Sequence, residues 1–299
     1  MQLVSIITVN YNHKHLTEAL LASISTLNAY KDIEIIVIDN GSKKNPVPIW
    51  QQLYPTINFI RSEINLGFAG GNNLGINAAK GNYIFLVNND TEITPALIAR
   101  LAETLDNHHE VGVVSPKILY WEDKQILQYA GYSPMNYVTA RNRCIGLQEK
   151  DKGQYDDKTG PTAYAHGAAM MVRKTVIDHA GLMAENFFLY YEELDWIERI
   201  RKAGFKIWVN MQAIIYHKES MSVGKKSALK EYYMNRNRIL FTRKNTSNLT
   251  TFLFYLYFIL VITPRNIFHY LKQKDYTFIP LIFKAIWWNF TNGVDSTKK

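Results

Sequence analysis

The stretch Tyr83-Ile84-Phe85-Leu86-Val87-Asn88-Asn89-Asp90-Thr91 indicates the fold. An apolar run stops abruptly at two amides and a carboxylate, which predicts a buried strand whose carboxyl end opens into a polar site. In open α/β sheets, ligands bind outside the carboxyl ends of the strands, and a carboxylate beside amide oxygens can hold a divalent cation. The alternative is a strand-to-helix turn in which Asp90 or Thr91 caps the helix that begins near Pro95.

Strand and helix patterns alternate over the first 115 residues of the chain. Apolar runs predict strands at residues 3–9, 33–38, 57–60, 83–87 and 111–115, with helices at 16–27 and 95–107. Residues 65–75, rich in glycine and asparagine, are predicted to form a loop that enters a helix ending near Ala79. Because each strand is almost continuously apolar, the pattern predicts an α/β fold with a mostly parallel central sheet and helices on both faces.

Beyond residue 115 the pattern weakens and then returns. Residues 141–160 are polar and charged, which predicts a mobile surface loop. A helix is predicted to run from the acidic cluster near residue 192 to Ala203. Two short strands follow at residues 207–209 and 213–216, and the second ends at His217.

The basic character of the chain is confined to its C-terminal part. Residues 1–217 carry 20 Lys and Arg against 22 Asp and Glu, a net charge of −2, whereas residues 218–299 carry 14 against 4, a net charge of +10. Residues 230–244 are predicted to form a basic helix. The apolar runs 249–263, interrupted at Pro264-Arg265, and 278–290, with Trp287 and Trp288, are short for a membrane span of about 20 residues.

This composition predicts two parts: a catalytic domain over residues 1–224 and a C-terminal basic and aromatic helical region over residues 225–299 that lies on a membrane surface. The alternative is a set of helices that pack on the catalytic domain or form a homodimer interface. A nucleic-acid role ranks below both, because the basic segment is also apolar, whereas surfaces that follow phosphates are mainly polar.

Several function classes are excluded by missing patterns. The single cysteine, Cys144, rules out an internal disulfide and a cysteine-based metal site and fits a reducing compartment. The N-terminal residues run straight into a strand, so no signal peptide is expected. No Gly-x-Gly-x-x-Gly loop follows a strand, and no Walker loop or Gly-x-Ser-x-Gly elbow is present, which argues against dinucleotide oxidoreductases, nucleoside triphosphatases and serine hydrolases.

The cluster Glu192-Glu193-Leu194-Asp195 is a candidate for acid–base chemistry. Tyr190 and Tyr191 precede it, and bulky aromatic side chains there would partly desolvate a carboxylate and raise its pKa towards that of a working base. Glu192 and Asp195 share a helix face, whereas Glu193 points elsewhere. The alternative is the solvated first turn of a helix, where acidic side chains favour the helix dipole.

Two further strand ends carry polar side chains. His217 could complete a divalent-metal site with Asp90, because imidazole suits Mn²⁺ and similar ions; the alternative is a structural histidine. Asp39 ends the second strand and precedes Asn40-Gly41-Ser42, where it could equally cap a turn.

Together these motifs resemble the family 2 glycosyltransferases of the GT-A fold, and most of all their bacterial rhamnosyltransferase-like branch. The resemblance covers about residues 3–245. The segments that carry it are Val4 to Asn12, Val37 to Ser42, Asn65 to Asn73, Leu86 to Thr91, Phe188 to Trp196 followed by Arg199, and His217 with Ser220 and Ser222.

The resemblance implies a role for each matching position. The residues that would line the nucleotide and the donor sugar are Val9, Asn10, Tyr11, Asp39, Asn40, Asn65, Gly67, Asn72, Asn73, Asn88 and Asn89. Asp90 matches the last aspartate of the family's Asp-x-Asp motif and would bind Mg²⁺ or Mn²⁺ on the diphosphate, with His217 as a second ligand. Glu193 matches the catalytic base, supported by Glu192 and Asp195. The first aspartate of the motif is Asn88 here, and the base is Glu where Asp is more usual.

The resulting prediction is an inverting, metal-dependent glycosyltransferase. It would use a dTDP- or UDP-sugar, with dTDP-rhamnose the first choice, and would extend a cell-surface polysaccharide or lipid-linked glycan on the cytoplasmic face of a bacterial inner membrane. A catalytically decayed scaffold or binding protein on the same domain is the first alternative. A sugar-nucleotide pyrophosphorylase is the second, although Asn10-Tyr11-Asn12-His13 is not the Gly-rich, Arg-containing loop that it would need.

Overall fold

The computed structural model describes residues 1–218 and 227–298. Ser220 and Ser222, and the predicted domain boundary between residues 224 and 225, lie outside the described residues. The division of the chain into a catalytic domain and a C-terminal region therefore stays a prediction.

The strands form one mixed sheet of ten strands. In chain order, β1 to β10 are Val4–Asn10, Ile33–Asn40, Asn58–Ser62, Tyr83–Val87, Thr91–Ile93, Val111–Tyr120, Leu127–Tyr129, Gly160–Pro161, Ala169–Arg173 and Lys206–His217. Their order is β3-β2-β1-β4-β9-β6-β10-β5, with β7 on β6 and β8 on β10. The pairs β3-β2, β2-β1, β1-β4 and β6-β10 are parallel, and β9 and β5 run antiparallel to their neighbours.

The described helices α1 to α10 cover the two faces of the sheet and form the C-terminal extension. They are Lys14–Leu27, Val47–Leu53, Gly67–Ala78, Leu97–Asn107, Lys174–Ala180, Glu192–Lys202, Ala228–Asn245, Asn248–Tyr257, Thr263–Gln273 and Ile279–Thr291. The predicted α/β class, with a mostly parallel sheet and C-terminal helices, is confirmed.

The central strands form these elements because their side chains can be buried on both faces. All five residues of β4 are buried, and β1 is buried except for Val9. One apolar cluster, with Phe85 and Leu101, lies on one face, and another, with Leu86 and Trp196, lies on the other. Burying each large aliphatic or aromatic side chain contributes about 1.5–3 kcal/mol, so the sheet is a rigid platform for the polar residues at its carboxyl edge.

Residues 67–75 are helical, so the prediction of a loop over 65–75 was wrong beyond residue 66. The glycines of α3 are there for close packing on β1. A Cβ atom at Gly71 would lie 2.9 Å from Cγ1 of Val9, and one at Gly75 would lie 2.3 Å from Cγ2 of Ile7. Glycine therefore lets this helix lie directly on the strand.

The two strands predicted at residues 207–216 are one strand, β10. Its register against β6 shifts between Asn210 and Ile214, so the polar residues there form a bulge and do not end the strand. The segment 141–160, predicted to be a surface loop, is attached to the sheet at Lys117, whose Nζ lies 2.8 Å from Asp151 and 2.7 Å from Asp156.

The C-terminal apolar run is longer than predicted. Residues Asn248–Gln273 form one 26-residue helix, which we call the apolar helix, and its length and composition would suffice to cross a membrane. The predicted interruption at Pro264 was wrong, because a π-helical turn, Phe258–Ile262, precedes the proline and the helical path continues past it. Only 22% of its most apolar 18-residue stretch is buried.

Candidate active site

A buried polar network joins the carboxyl ends of β1, β2 and β3. Asn10 is paired with Asp39 in the β1-β2 register, and its Nδ2 donates to Asp39 Oδ1 at 2.8 Å. Arg61 forms an ion pair with the other oxygen of Asp39 and donates to the Ser42 carbonyl at 3.2 Å. Asp39 is fully buried, whereas 21% of the Arg61 side chain is exposed. Arg61, which the sequence reasoning missed, is therefore the cationic group that this network presents at the sheet edge.

The same network continues to the turn after β4. Asn89 Nδ2 donates to Thr17 Oγ1 at 3.0 Å, and Thr17 donates to Asn10 Oδ1 at 3.1 Å. The Asn88 N–H donates to the Ala168 carbonyl at 2.9 Å, and within the described residues the Asn88 side chain has no hydrogen-bond partner. Asn89 is thus used structurally, while the half-buried amide of Asn88 remains open to a ligand.

Asp90 and His217 face each other across the end of β10. His217 pairs with Thr91 in the β10-β5 register, which brings His217 Nε2 to 3.1 Å from Asp90 Oδ1. Both residues are buried, and neither of these two atoms has a hydrogen-bond partner within residues 1–218 and 227–298. The structure therefore brings Asp90 and His217 together, as predicted.

His217 makes a second contact through its other ring nitrogen. Nδ1 lies 2.8 Å from Oε1 of Gln128, and because an amide oxygen only accepts, this contact favours the tautomer in which Nδ1 carries the proton. In the neutral ring Nε2 then points a lone pair at the carboxylate oxygen of Asp90. Two facing lone pairs favour a cation between them, and a carboxylate with an imidazole suits Mn²⁺.

The residues present therefore fit a divalent cation, although the protein supplies only part of its coordination. No group of three or more His, Cys, Asp or Glu side chains that could hold a metal occurs in the part of the chain that the structure describes. The remaining ligands would have to be oxygen atoms of a bound molecule or water, as is usual for Mg²⁺ held against phosphates.

The segment His166-Gly167-Ala168 lies between this pair and the acidic helix start. The His166 ring centroid is 6.2 Å from that of His217 and 6.2 Å from that of Tyr132, on which His166 is stacked. Its Nδ1 accepts from the Ala168 N–H at 3.1 Å, so the other ring nitrogen is free to donate. A Cβ atom on Gly167 would lie 3.6 Å from Cγ of Glu193, so the Glu193 side chain packs directly against this segment.

Glu192 and Glu193 begin α6, and their environments differ. Burial, and next to it the neighbouring Glu193, raise the pKa of Glu192 well above its usual range. Burial raises the pKa of Glu193 as well, while backbone N–H groups at the helix start oppose the shift. The predicted effect of desolvation on these carboxylates is therefore found. Glu192 is buried whereas Glu193 is half-buried, so Glu193 is the carboxylate of the pair that a ligand can reach.

Asp195 has hydrogen-bond partners of its own on α6 and α7. Its Oδ2 accepts from Arg199 Nε at 3.0 Å and its Oδ1 accepts from Asn245 Nδ2 at 2.9 Å. Asp195 is buried and links α6 to the end of α7. Any support that it gives to Glu193 acts through the position of the helix.

The chain that leads into α6 is strained and is held by α7. Phe188, Tyr190 and Tyr191 have φ of 65°, 69° and 74°, in the left-handed region that bulky residues avoid. Asn237 Nδ2 lies 2.8 Å from the Phe187 carbonyl, 2.7 Å from the Leu189 carbonyl and 2.8 Å from the Tyr190 carbonyl. These bonds fix the position from which Glu193 is presented.

Buried Arg236 strengthens this clamp. It donates to the carbonyls of Asn186 and Phe187 and lies 4.7 Å from the ring centroid of Tyr233. Arg236 and Arg238 are both buried, so part of the positive charge counted in the C-terminal segment is internal and structural. The sequence reasoning treated this charge as a surface property.

The predicted donor-side residues form a second set of contacts, beside the acidic helix start. Asn40 Nδ2 donates to the Gly67 carbonyl at 2.9 Å, and Asn65 Oδ1 accepts from the Gly67 N–H at 2.9 Å. Gly67 has φ of +78°, and a Cβ there would lie 2.1 Å from the Phe188 carbonyl oxygen. Glycine at this position therefore allows the donor-side turn to touch the segment that carries the base candidate.

The other residues predicted to bind the donor have surroundings that differ from one to the next. Asn73 is buried and hydrogen-bonded to Met183 and Glu185, and Asn72 bonds to the Phe68 carbonyl one turn earlier in its helix. Half-buried Val9 packs under α3, and Tyr11, 38% exposed, follows β1. Their roles in donor binding stay predictions.

Comparison with known proteins identifies the family of this chain. The family model described as Glycosyl transferase family 2 matches residues 5–181, more than half of the chain. The low-salt glycan biosynthesis hexosyltransferase Agl10 of Haloferax volcanii is 28% identical over 288 residues, which cover 94% of this chain and 89% of that protein. The N-acetylglucosaminyl-diphospho-decaprenol L-rhamnosyltransferase of Mycobacterium tuberculosis is 22% identical and covers 71% of this chain and 75% of that protein.

Solved structures share the architecture. The mannosyltransferase PcManGT from Pyrobaculum calidifontis, solved with GDP-Man and Mn²⁺, has a TM-score of 0.58 at 12% identity and covers 98% of this chain and 76% of that chain. GalNAc-T7, solved with UDP, GalNAc and Mn²⁺, has a TM-score of 0.64 at 13% identity. The match covers 81% of this chain and 48% of the longer GalNAc-T7 chain. At these identities the likeness establishes the fold, and the predicted GT-A fold is confirmed.

Proposed function

This chain belongs to glycosyl transferase family 2, so it is a glycosyltransferase, and we propose that it transfers its sugar with inversion and with the help of a divalent metal. The observation that carries the proposal is the Asp90–His217 pair, joined to Glu193 through the segment His166-Gly167-Ala168. In this proposal, the site for the donor diphosphate and the base for the acceptor would lie on the two sides of one short segment.

Asp90 and His217 would hold Mg²⁺ or Mn²⁺. When bound, the ion neutralises the negative charge that develops on the nucleoside diphosphate as it leaves. Gln128 fixes the ring orientation and tautomer of His217. The Asn88 amide and the second ring nitrogen of His166 are further polar groups that could orient the diphosphate.

Glu193 would take the proton from the acceptor hydroxyl as that oxygen attacks the anomeric carbon. A raised pKa suits this task, because a base works best when its pKa approaches the working pH. Burial raises the pKa of both glutamates, and a proton held by buried Glu192 would leave the more accessible Glu193 as the ionised carboxylate. Asp195, Asn237 and Arg236 hold the helix start in position.

The donor that we propose is dTDP-rhamnose, followed by UDP-hexoses. The Mycobacterium tuberculosis relative is named an L-rhamnosyltransferase, and the Haloferax volcanii relative is named a hexosyltransferase. Arg61, Asp39 and Asn10 lie at the sheet edge where the nucleotide would bind. Their contacts are consistent with any of these donors.

The acceptor that we propose is a lipid-linked glycan or cell-surface polysaccharide at the cytoplasmic face of the cell membrane. The support is the exposed apolar surface of the C-terminal helices. Its large exposed side chains are Leu249, Phe252, Leu253, Leu256, Ile259, Leu260, Val261, Phe268, Leu271, Phe283, Trp287 and Phe290. A surface of this kind fits a membrane interface, with a second copy of the chain as the alternative occupant.

The proposed stereochemistry has a direct test. A single in-line displacement with Glu193 as base gives a product of anomeric configuration opposite to that of the donor, which NMR coupling constants of the purified product would show. Retention of configuration would contradict the base role of Glu193. Binding of the donor without any turnover in the presence of acceptor would favour the decayed scaffold.

A further inference from the structure

A cavity lies next to Tyr191, outside the residues assigned to the transfer reaction. Its volume is about 460 Å³, within the usual range of small-molecule sites. It is formed where α7, the start of α9 and the turn near residue 141 meet. The residues of its wall that matter here are Arg141, Asn142, Tyr191, Lys230, Arg238 and Arg265.

The wall carries more positive charge than its acidic residue can balance. Arg141, Lys230, Arg238 and Arg265 line the cavity together, and the carboxylate that accompanies them, Glu231, accepts a hydrogen bond from the Tyr270 hydroxyl. Within the described residues, no carboxylate forms an ion pair with any of these four cations. Several like charges around one cavity are costly unless an anion joins them.

Two buried polar atoms of the wall lack partners. Arg238 is 8% exposed and its Nε has no hydrogen-bond partner among the described residues, and the same is true of Nδ2 of Asn142. Burial and the nearby Arg141 lower the pKa of Arg238. A buried guanidinium without a carboxylate is costly, and a phosphate is the ligand that its planar array of donors matches best.

Tyr191 connects this cavity to the proposed base. Tyr191 lines the cavity and lies directly before α6, two residues ahead of Glu193 in the chain. A molecule whose phosphate lies in the cavity could therefore place a hydroxyl near Glu193.

The cavity also borders the exposed apolar surface. Arg265 belongs to the apolar helix, and the Arg238 guanidinium lies 6.0 Å from the ring centroid of Phe258 on the same helix. Phe258 packs with Ile239 and Ala140, next to Arg141, in one apolar cluster. A lipid whose chains lie along the exposed side of this helix would bring its headgroup to the cavity.

We propose that this cavity binds the phosphate groups of a membrane lipid. This proposal rests on the function proposed above: the phosphates are those that join the acceptor glycan to its lipid. One ligand would then occupy the cavity with its phosphates and the Glu193 site with its reacting hydroxyl. An ordinary phospholipid headgroup offers the same chemistry, and the experiment separates the two sources.

The test is flotation of the full chain with phosphatidylcholine vesicles of three kinds: vesicles that carry a polyprenyl diphosphate, vesicles that carry phosphatidylglycerol at equal charge, and vesicles with neither. The variant is Arg141→Gln with Arg265→Gln, both exposed positions. The matched control, Lys272→Gln with Lys274→Gln, removes the same charge near the end of the apolar helix but outside the cavity. Each lost charged hydrogen bond contributes about 1.5–3 kcal/mol, so binding to polyprenyl diphosphate should weaken at least about 10- to 100-fold in the variant and little in the control.

Each outcome has one meaning. Preferred binding to polyprenyl diphosphate that the cavity variant loses supports the proposal. An equal loss on phosphatidylglycerol vesicles would identify a phospholipid headgroup as the ligand and overturn the acceptor assignment. Equal binding by the cavity variant and the control overturns the site itself. The flotation assay needs neither donor nor metal, whereas the proposed transfer reaction is tested separately by donor turnover. A failure of one proposal can therefore be distinguished from a failure of the other.

Discussion

Glu193→Gln is the substitution that separates catalysis from binding in this protein. The change replaces one carboxylate oxygen with an amide and keeps the size of the side chain, so its packing against Gly167 should persist. General base catalysis contributes about 10²- to 10⁴-fold to a rate, which corresponds to about 2.7–5.5 kcal/mol of transition-state stabilisation. We therefore expect kcat to fall by that factor. Nucleotide binding, in which we propose that Asn10, Asp39 and Arg61 on other elements take part, should be retained.

The assay is sugar transfer under saturating donor, with nucleotide binding measured by calorimetry on the same preparations. Glu192→Gln is the matched control, because Glu192 is the carboxylate that we expect to be protonated already and an amide resembles its neutral form. Its rate should fall by less than about tenfold, below the range expected for a lost general base. In the wild type, kcat/KM should fall with decreasing pH at a midpoint above the ordinary glutamate pKa, since burial raises that of Glu193. A Glu193→Gln enzyme of near-normal rate, or a larger loss in Glu192→Gln, would refute the assignment.

The remaining predictions concern stability and the metal. At pH values between the pKa of Glu192 in the unfolded state and its raised pKa in the folded state, the folded protein holds one more proton, so its stability falls as pH rises. Glu192→Gln should therefore raise Tm more at pH 8 than at pH 5. A difference in Tm that does not depend on pH would contradict this. Asn237→Ala should lower the free energy of unfolding by about 2–3 kcal/mol in urea titrations, against less than about 0.5 kcal/mol for the exposed Asn107→Ala. Gln128→Leu should weaken Mn²⁺ binding about 10- to 100-fold in calorimetry with nucleoside diphosphate, because His217 loses the partner that orients it, and unchanged affinity would count against the metal site.

The mostly parallel sheet and the pairing of Asp90 with His217 could be predicted from the sequence. Apolar runs that end in Asp39 and Asp90 require strands whose carboxyl ends share one edge, and His217 reaches that edge because β10 ends beside Thr91. The aromatic residues before Glu192 and Glu193 also predict desolvation there, and burial raises the pKa of both carboxylates. These predictions depend on patterns of neighbouring residues, which can be recognised in the sequence alone.

Residues brought in by long-range contacts were missed. His166 enters the site because β9 inserts antiparallel between β4 and β6, and no local pattern specifies that insertion. A histidine followed by glycine just before an apolar strand was the available signal. Gln128 is visible only through its bond to His217, 89 residues away in the chain.

The C-terminal part shows how charge can mislead a reading of sequence. Arg236 and Arg238 add to the net charge of +10 after residue 217, yet both are buried, and they bond to the backbone carbonyls of Phe187 and Thr139 respectively. The proline at 264 likewise looked like a helix end, but it lies near the start of α9, where its missing N–H costs little after a π-helical turn. Such features depend on the packing of the whole chain.

The most direct measurement is nucleotide release from a panel of dTDP-, UDP- and GDP-sugars, with Mn²⁺ or Mg²⁺ and then with EDTA, on the wild type and on Asp90→Ala. We predict turnover of one donor that EDTA abolishes and that the variant lacks. Donor turnover that persists in EDTA or in Asp90→Ala would contradict a metal held by Asp90 and His217.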